Sequence, residues 1–191
     1  KIIAVSKTYK LEKILPIISY GHLEFGENKV QEAVEKWTDT KLKNPKINLH
    51  LIGKLQTNKV KFALKIFEYI HSVDSKKLAK KIADEQLKQN KKIKIFLQVN
   101  IGNEDQKSGI KKDELDNLYN YCNKLNLDVI GLMCIPPANE NPEKFFKEAN
   151  LLNKKFNLSE LSMGMSSDYL SALDNHSTYL RIGSSIFGQR D

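Results

Sequence analysis

Two periodicities share this chain. Short apolar or alternating runs at 2–6, 23–26, 47–53, 69–73, 93–101, 127–134, 161–163 and 179–183 predict eight β-strands. Amphipathic stretches at 11–20, 28–42, 57–67, 75–90, 111–125, 142–156 and 168–175 predict the helices that follow them. In the 75–90 stretch the apolar positions are Leu78, Ile82 and Leu87, with Asp74 or Ser75 placed as a cap. Pro136-Pro137 marks a turn after the sixth strand. Strand and helix alternate to the end, and eight such units predict a closed (β/α)8 barrel of the TIM type rather than an open sheet. No G-x-G-x-x-G follows a strand, so a dinucleotide-binding sheet loses support. No linker, repeat or low-complexity tract interrupts residues 1–191, and a single barrel domain is expected.

Barrel sites lie at the C-terminal ends of the strands, and the chemistry is sought there. Lys7 closes the first strand. Alternation puts Ile3, Val5 and Lys7 on one face, so an inward Val5 brings Lys7 to the barrel mouth. The plain alternative is a solvated lysine in a lysine-rich chain. The seventh strand runs into Gly164-Met165-Ser166-Ser167, and the eighth into Gly183-Ser184-Ser185. These are the two positions where barrels bind phosphate, and glycine and serine supply open backbone N–H groups and hydroxyl donors. Each loop alone reads as a turn and cap; the pair points to phosphate. An amine at a strand end and a phosphate site across the mouth together suit pyridoxal 5'-phosphate (PLP) bound as a Schiff base.

Arg181 shares a strand face with Gly183. Facing inward, it needs either a structural carboxylate partner or a role as donor to the cofactor's pyridine nitrogen. Asn28 follows the second strand and falls near the mouth. His50 on the third strand is a candidate base, with a structural histidine the more common outcome. Lys107 follows the fifth strand as a second amine, read as solvated. No metal-ligand spacing and no Ser-His-Asp arrangement occurs.

Composition narrows the class. The chain is 40% hydrophobic and 28% charged, ordinary for a globular protein. No apolar stretch approaches the roughly 20 residues of a membrane span. The formal charge of +8 is carried almost wholly by lysine, with arginine only at positions 181 and 190. Base reading favours arginine's fork, so the lysines read as solvated helix faces and no specific nucleic-acid partner is expected. Cys122 and Cys134 form no C-x-x-C pair, which fits reduced thiols in a cytoplasmic protein. The chain opens directly in a strand-like run, so no signal peptide is expected, and residues before Lys1 are expected to be missing.

Taken in order, the motifs resemble the pyridoxal phosphate homeostasis protein family, single-domain relatives of the alanine racemase barrel. They are Ala4-Val5-Ser6-Lys7, Phe25-Gly26-Glu27-Asn28 with Val30-Gln31-Glu32, and His50-Leu51-Ile52-Gly53 with Leu55-Gln56-Thr57-Asn58-Lys59. Further on come Gln98-Val99-Asn100, Lys107-Ser108-Gly109, Gly131-Leu132-Met133, Ser162 to Ser166 and Arg181 to Gly188. The resemblance implies that Lys7 is the Schiff-base lysine. It implies that Ser166, Gly183 and Ser184 cradle phosphate, that Arg181 faces the pyridine nitrogen and that Asn28 lines the cofactor pocket. Two departures stand out. The N-terminal helix usual in the family is absent, and serine follows Gly183 where relatives often carry threonine.

The expected function is therefore PLP binding and delivery in vitamin B6 homeostasis, without established turnover and with no catalytic residue assigned. Apo-enzymes that take up PLP are the partners this implies. A monomer is expected, with a dimer as the alternative. The rival reading is a PLP-dependent amino-acid racemase. Such racemases use a second, β-rich domain that supplies a tyrosine across a dimer, and the eight strand–helix units leave that domain no room.

Overall fold

The computed structural model describes residues 1–104 and 106–188. Eight parallel strands close a barrel in chain order, with a helix after each. The strands are β1 (Ile2–Val5), β2 (Glu24–Glu27), β3 (Asn48–Leu51), β4 (Tyr69–Val73), β5 (Lys94–Val99), β6 (Asp128–Cys134), β7 (Glu160–Met165) and β8 (Tyr179–Ile182). The helices are α1 (Leu11–Ser19), α2 (Val30–Lys43), α3 (Val60–Ile66), α4 (Lys76–Gln89), α5 (Leu115–Lys124), α6 (Glu143–Lys155), α7 (Tyr169–Asp174) and α8 (Ser184–Phe187). The barrel closes where β1 pairs with β8, Ile3 opposite Arg181.

The strand and helix order matches the sequence reading, and the differences have local causes. The predicted helices at 57–67 and 111–125 each begin with a 3₁₀ turn, at Thr57–Lys59 and Lys112–Glu114. Ser75, not Asp74, caps α4, its hydroxyl accepting the Leu78 N–H at 3.3 Å. Leu87 does not share the buried face of Leu78 and Ile82 that the sequence pattern predicts, and is 83% exposed. Nine residues at 100° each carry it from Leu78 to the opposite side of the helix, and Ala79 and Ala83 complete the buried stripe instead. The short helix α8 lies where only a phosphate loop was expected.

Two apolar layers hold the barrel. The outer one joins the backs of the strands to the helices and includes Phe25, Leu49, Ile70, Leu97 and Phe146. Trp37 of α2 is wholly buried there, 4.8 Å from the Phe25 ring. Burying such a side chain contributes about 1.5–3 kcal/mol. The inner layer fills the lumen with Ile3, Tyr69, Phe96, Met133 and Tyr179. Strand alternation carries the face of Ile3 up to Val5 and on to Lys7, which lies in the turn two residues past the end of β1 rather than closing the strand, and the face of Tyr179 up to Arg181 and Gly183, one residue past β8.

Candidate functional site

An open cavity of about 610 Å3 lies at the C-terminal ends of the strands. The six residues assigned to the cofactor from the sequence line it, Lys7, Asn28, Ser166, Arg181, Gly183 and Ser184, whereas the other two candidates, His50 and Lys107, do not. Val5, Ile52, Ile135 and Met165 supply apolar walls, and Ser167 adds a hydroxyl. A planar aromatic ring with polar groups at its edge suits such a lining.

Lys7 is held by its backbone as well as by its strand. The turn after β1 places Thr8 at φ +68°, a left-handed conformation that costs a β-branched residue about 1–3 kcal/mol. The Thr8 N–H donates to Glu32 Oε1 at 2.6 Å. On the other side of Lys7, the Ser6 carbonyl accepts from Lys36 Nζ at 2.9 Å. Lys36 also donates to Glu32 Oε1 at 2.9 Å and to Glu27 Oε1 at 3.0 Å. Glu27 is fully buried and its Oε1 takes two further donors, the Ser6 hydroxyl at 2.7 Å and Trp37 Nε1 at 2.9 Å. Burial pushes the Glu27 pKa up, against the pull of Trp37, Lys36 and Ser6. One charge network on β2 and α2 thus grips both peptide groups flanking Lys7. None of Thr8, Glu27, Glu32 or Lys36 was singled out as a site residue. Glu27 and Glu32 lie inside the motif stretches, and the helical spacing from Glu32 to Lys36 is the available signal.

Asn28 owes its place to a glycine. A side chain on Gly53 would collide with the Asn28 backbone, so the end of β3 can lie against the loop after β2 only without one.

The two small-residue loops meet across the mouth. Ser166 Oγ accepts from the Gly183 N–H at 3.3 Å and from the Ser185 N–H at 3.5 Å. A hydroxyl already drawn to these N–H groups marks where an anionic oxygen would be received. Gly164 stands at φ +89°, and a methyl there would meet Ala172 Cβ at 2.6 Å. That glycine shapes the turn; Gly183, by contrast, has ordinary space for a methyl beside Val5, 3.5 Å away.

Arg181 is 5% exposed. Its Nη1 donates to Ser162 Oγ at 2.8 Å and its Nη2 to the Cys134 carbonyl at 2.9 Å. Among the described residues no carboxylate forms an ion pair with it, so the structural carboxylate considered from the sequence is not there. Burial lowers its pKa from the ordinary arginine value, but the guanidinium stays charged at neutral pH. A cation held by neutral partners at a cavity wall is set to serve an acceptor on a ligand.

His50 lies outside the cavity. It is fully buried in the lumen, bonded to Glu24 and His71, which matches the structural alternative. Lys107 is not simply solvated: it pairs with Glu104 at 2.6 Å and donates to the Pro136 carbonyl at 3.1 Å. Its side chain is 31% exposed, and strand alternation does not report such pairing. Cys122 and Cys134 are free and buried, and burial pushes both thiols up to about 12. Among the described residues no cluster of His, Cys, Asp or Glu could hold a metal, and no helix is long and apolar enough to cross a membrane.

The family of the alanine racemase N-terminal domain matches residues 1–191, the whole of this barrel sequence. The pyridoxal phosphate homeostasis protein of Aquifex aeolicus is 38% identical over 200 residues, covering 100% of this chain and 87% of its own. That of Escherichia coli K12 is 34% identical, covering 100% and 86%. The chain belongs to the pyridoxal phosphate homeostasis protein family. Among solved structures, PipY of Synechococcus elongatus with PLP bound superposes with a TM-score of 0.92 at 33% identity, over 98% of this chain and 92% of that one. An alanine racemase of Clostridium difficile shares the fold, with a TM-score of 0.78 at 16% identity over 100% of this chain and 52% of that one.

Proposed function

We propose that this chain binds PLP at the barrel mouth and carries it as a Schiff base on Lys7, holding and releasing it within the cytoplasmic vitamin B6 pool. The observation that carries the reading is the convergence of Lys7, Arg181 and the Ser166–Gly183–Ser184 loops on one cavity. When bound, PLP supplies an aldehyde that condenses with a lysine amine. The chain's own residues do the rest. Ser166, Gly183 and Ser184 receive the phosphate through hydroxyl and backbone donors. Arg181 donates to the ring nitrogen, and the network of Glu27, Glu32 and Lys36 fixes the backbone from which Lys7 reaches across. Asn28, Val5 and Ile52 would wall the site around the bound ring.

The same lining supports carriage without turnover. Arg181 has no proton to give up at neutral pH, so it holds the ring nitrogen unprotonated and weakens the ring as an electron sink. Racemisation also needs a second acid–base group on the opposite face of the substrate carbon. The described lining contributes no tyrosine, histidine, cysteine or carboxylate for that task. Release to apo-enzymes is the physiological counterpart of a bond that water and other amines reverse. Absorption of the protein loaded with PLP, compared with pyridoxal, tests the reading: a visible band that depends on the phosphate is expected, and binding indifferent to phosphate counts against it.

A further inference from the structure

Below the cavity, the lumen holds a line of polar side chains with no part in lining it. Glu24 sits at the opposite mouth of the barrel, its side chain 18% exposed. Glu24 Oε2 lies 2.6 Å from His50 Nε2, His50 Nδ1 lies 3.0 Å from His71 Nε2, and His71 Nδ1 lies 2.9 Å from Ser162 Oγ. Ser162 Oγ in turn meets Arg181 Nη1 at 2.8 Å. His50, His71 and Ser162 are fully buried, so each bond in the line must be made.

The two ends dictate the hydrogens in between. Arginine can only donate, so Ser162 Oγ accepts from Arg181 and turns its own hydrogen to His71 Nδ1. His71 then carries its proton on Nε2 and donates to His50 Nδ1. His50 likewise carries its proton on Nε2 and donates to the Glu24 carboxylate, which can only accept. The opposite direction would set a bare His50 nitrogen against the carboxylate at 2.6 Å and leave the Ser162 hydrogen without its acceptor. Stacking holds both rings in plane, His50 on Tyr69 at 4.3 Å and His71 on Phe96 at 4.2 Å.

We infer that Glu24, His50, His71 and Ser162 form a one-directional hydrogen-bond relay through the barrel that ends on Arg181 and fixes the Nη1 end of its guanidinium at the cavity wall. The histidines and Ser162 are positioning residues for the guanidinium, not groups that touch a ligand. Burial keeps both imidazoles neutral, lowering the pKa of His50 and placing that of His71 well below the ordinary value. Burial works against the Glu24 carboxylate, but His50, Asn48 and Lys1 together bring its pKa below the usual value, so the accepting end is ionised. The consequence for a bound ring nitrogen rests on the PLP reading above; the relay itself does not.

Histidine ¹⁵N NMR on the protein without PLP tests it. His50 and His71 are expected to carry hydrogen on Nε2 with Nδ1 bare. With Arg181 still fixing the Ser162 end, Glu24→Gln should turn its amide oxygen to His50 and leave both rings in the Nε2–H form. Adding Ser162→Ala removes the constraint at the other end, and both forms should then appear, in the same ratio at the two rings. An Nδ1–H ring in the parent or in Glu24→Gln, or two rings that differ in the double variant, overturns the relay. A second arm adds the ligand. Ser162→Ala should weaken PLP by roughly tenfold, the loss of one charge-assisted bond, while leaving competition by inorganic phosphate unchanged. Parent protein that fails to bind PLP would refute the PLP reading and leave the NMR result standing.

Discussion

Lys36 Nζ donates to the Ser6 carbonyl at 2.9 Å, one residue before Lys7, while it also neutralises the buried carboxylate of Glu27. The stem of α2 therefore controls the turn from which Lys7 projects. Lys36→Met should cost about 3–5 kcal/mol in urea unfolding, because it strands the Glu27 charge. Adding Glu27→Gln should restore a large part. A single variant as stable as the parent, or a double variant no better than the single, would contradict the clamp.

The phosphate loops should respond to changes that Lys7 does not feel. Ser166→Ala and Ser184→Ala each remove a donor to a charged acceptor, worth about 1.5–3 kcal/mol, and should weaken PLP by roughly ten- to a hundredfold. Pyridoxal should hardly notice. Equal losses for both vitamers would place the loops away from the phosphate.

Two glycines in these loops should behave oppositely. A methyl at Gly183 meets Val5 first, at an ordinary 3.5 Å, so Gly183→Ala should keep its melting temperature and lose PLP affinity. At Gly164 the backbone is left-handed and Ala172 stands in the way, so Gly164→Ala should unfold more easily. Thermal melts and PLP titrations on the two variants decide it; a destabilised Gly183→Ala with intact affinity would reverse the assignment.

The lumen histidines set a pH dependence. Glu24, Lys1, Glu68 and Tyr69 surround His50, while His50 and Arg181 face His71, and burial lowers both imidazole pKa values. As pH falls below the ordinary histidine value of 6.5, the unfolded chain takes up protons that the folded chain refuses. Stability is therefore full above that value and lost progressively beneath it. Glu27, with its raised pKa, works in the opposite sense, so the profile is read on Glu27→Gln. Its urea midpoints between pH 7.5 and 5 should fall with acid; a flat or rising profile would contradict neutral rings in the fold.

Alternation along strands made much of the site legible in the sequence. It put Lys7 on the face of Val5 and Arg181 on that of Gly183, and the two serine loops followed from where strands seven and eight end. The grip on the Lys7 turn was not legible, because Thr8, Glu32 and Lys36 come together only once α2 packs over β1 and β2. His50 looked solitary for a related reason. Its partners Glu24 and His71 lie on the two flanking strands, and Ser162, which continues the line from His71, lies across the barrel on β7, so only the paired and closed sheet brings them into line. The exposed Leu87 shows a limit of another kind, since three apolar residues on one helix do not share a face unless their spacing does.

Borohydride reduction of the PLP-loaded protein, followed by peptide mapping, tests the central claim most directly. The pyridoxyl group should be fixed on Lys7, with the visible band lost on reduction, and Lys7→Ala should retain only weak, phosphate-dependent binding. A main adduct on another amine, Lys107 above all, would contradict the assignment of the site.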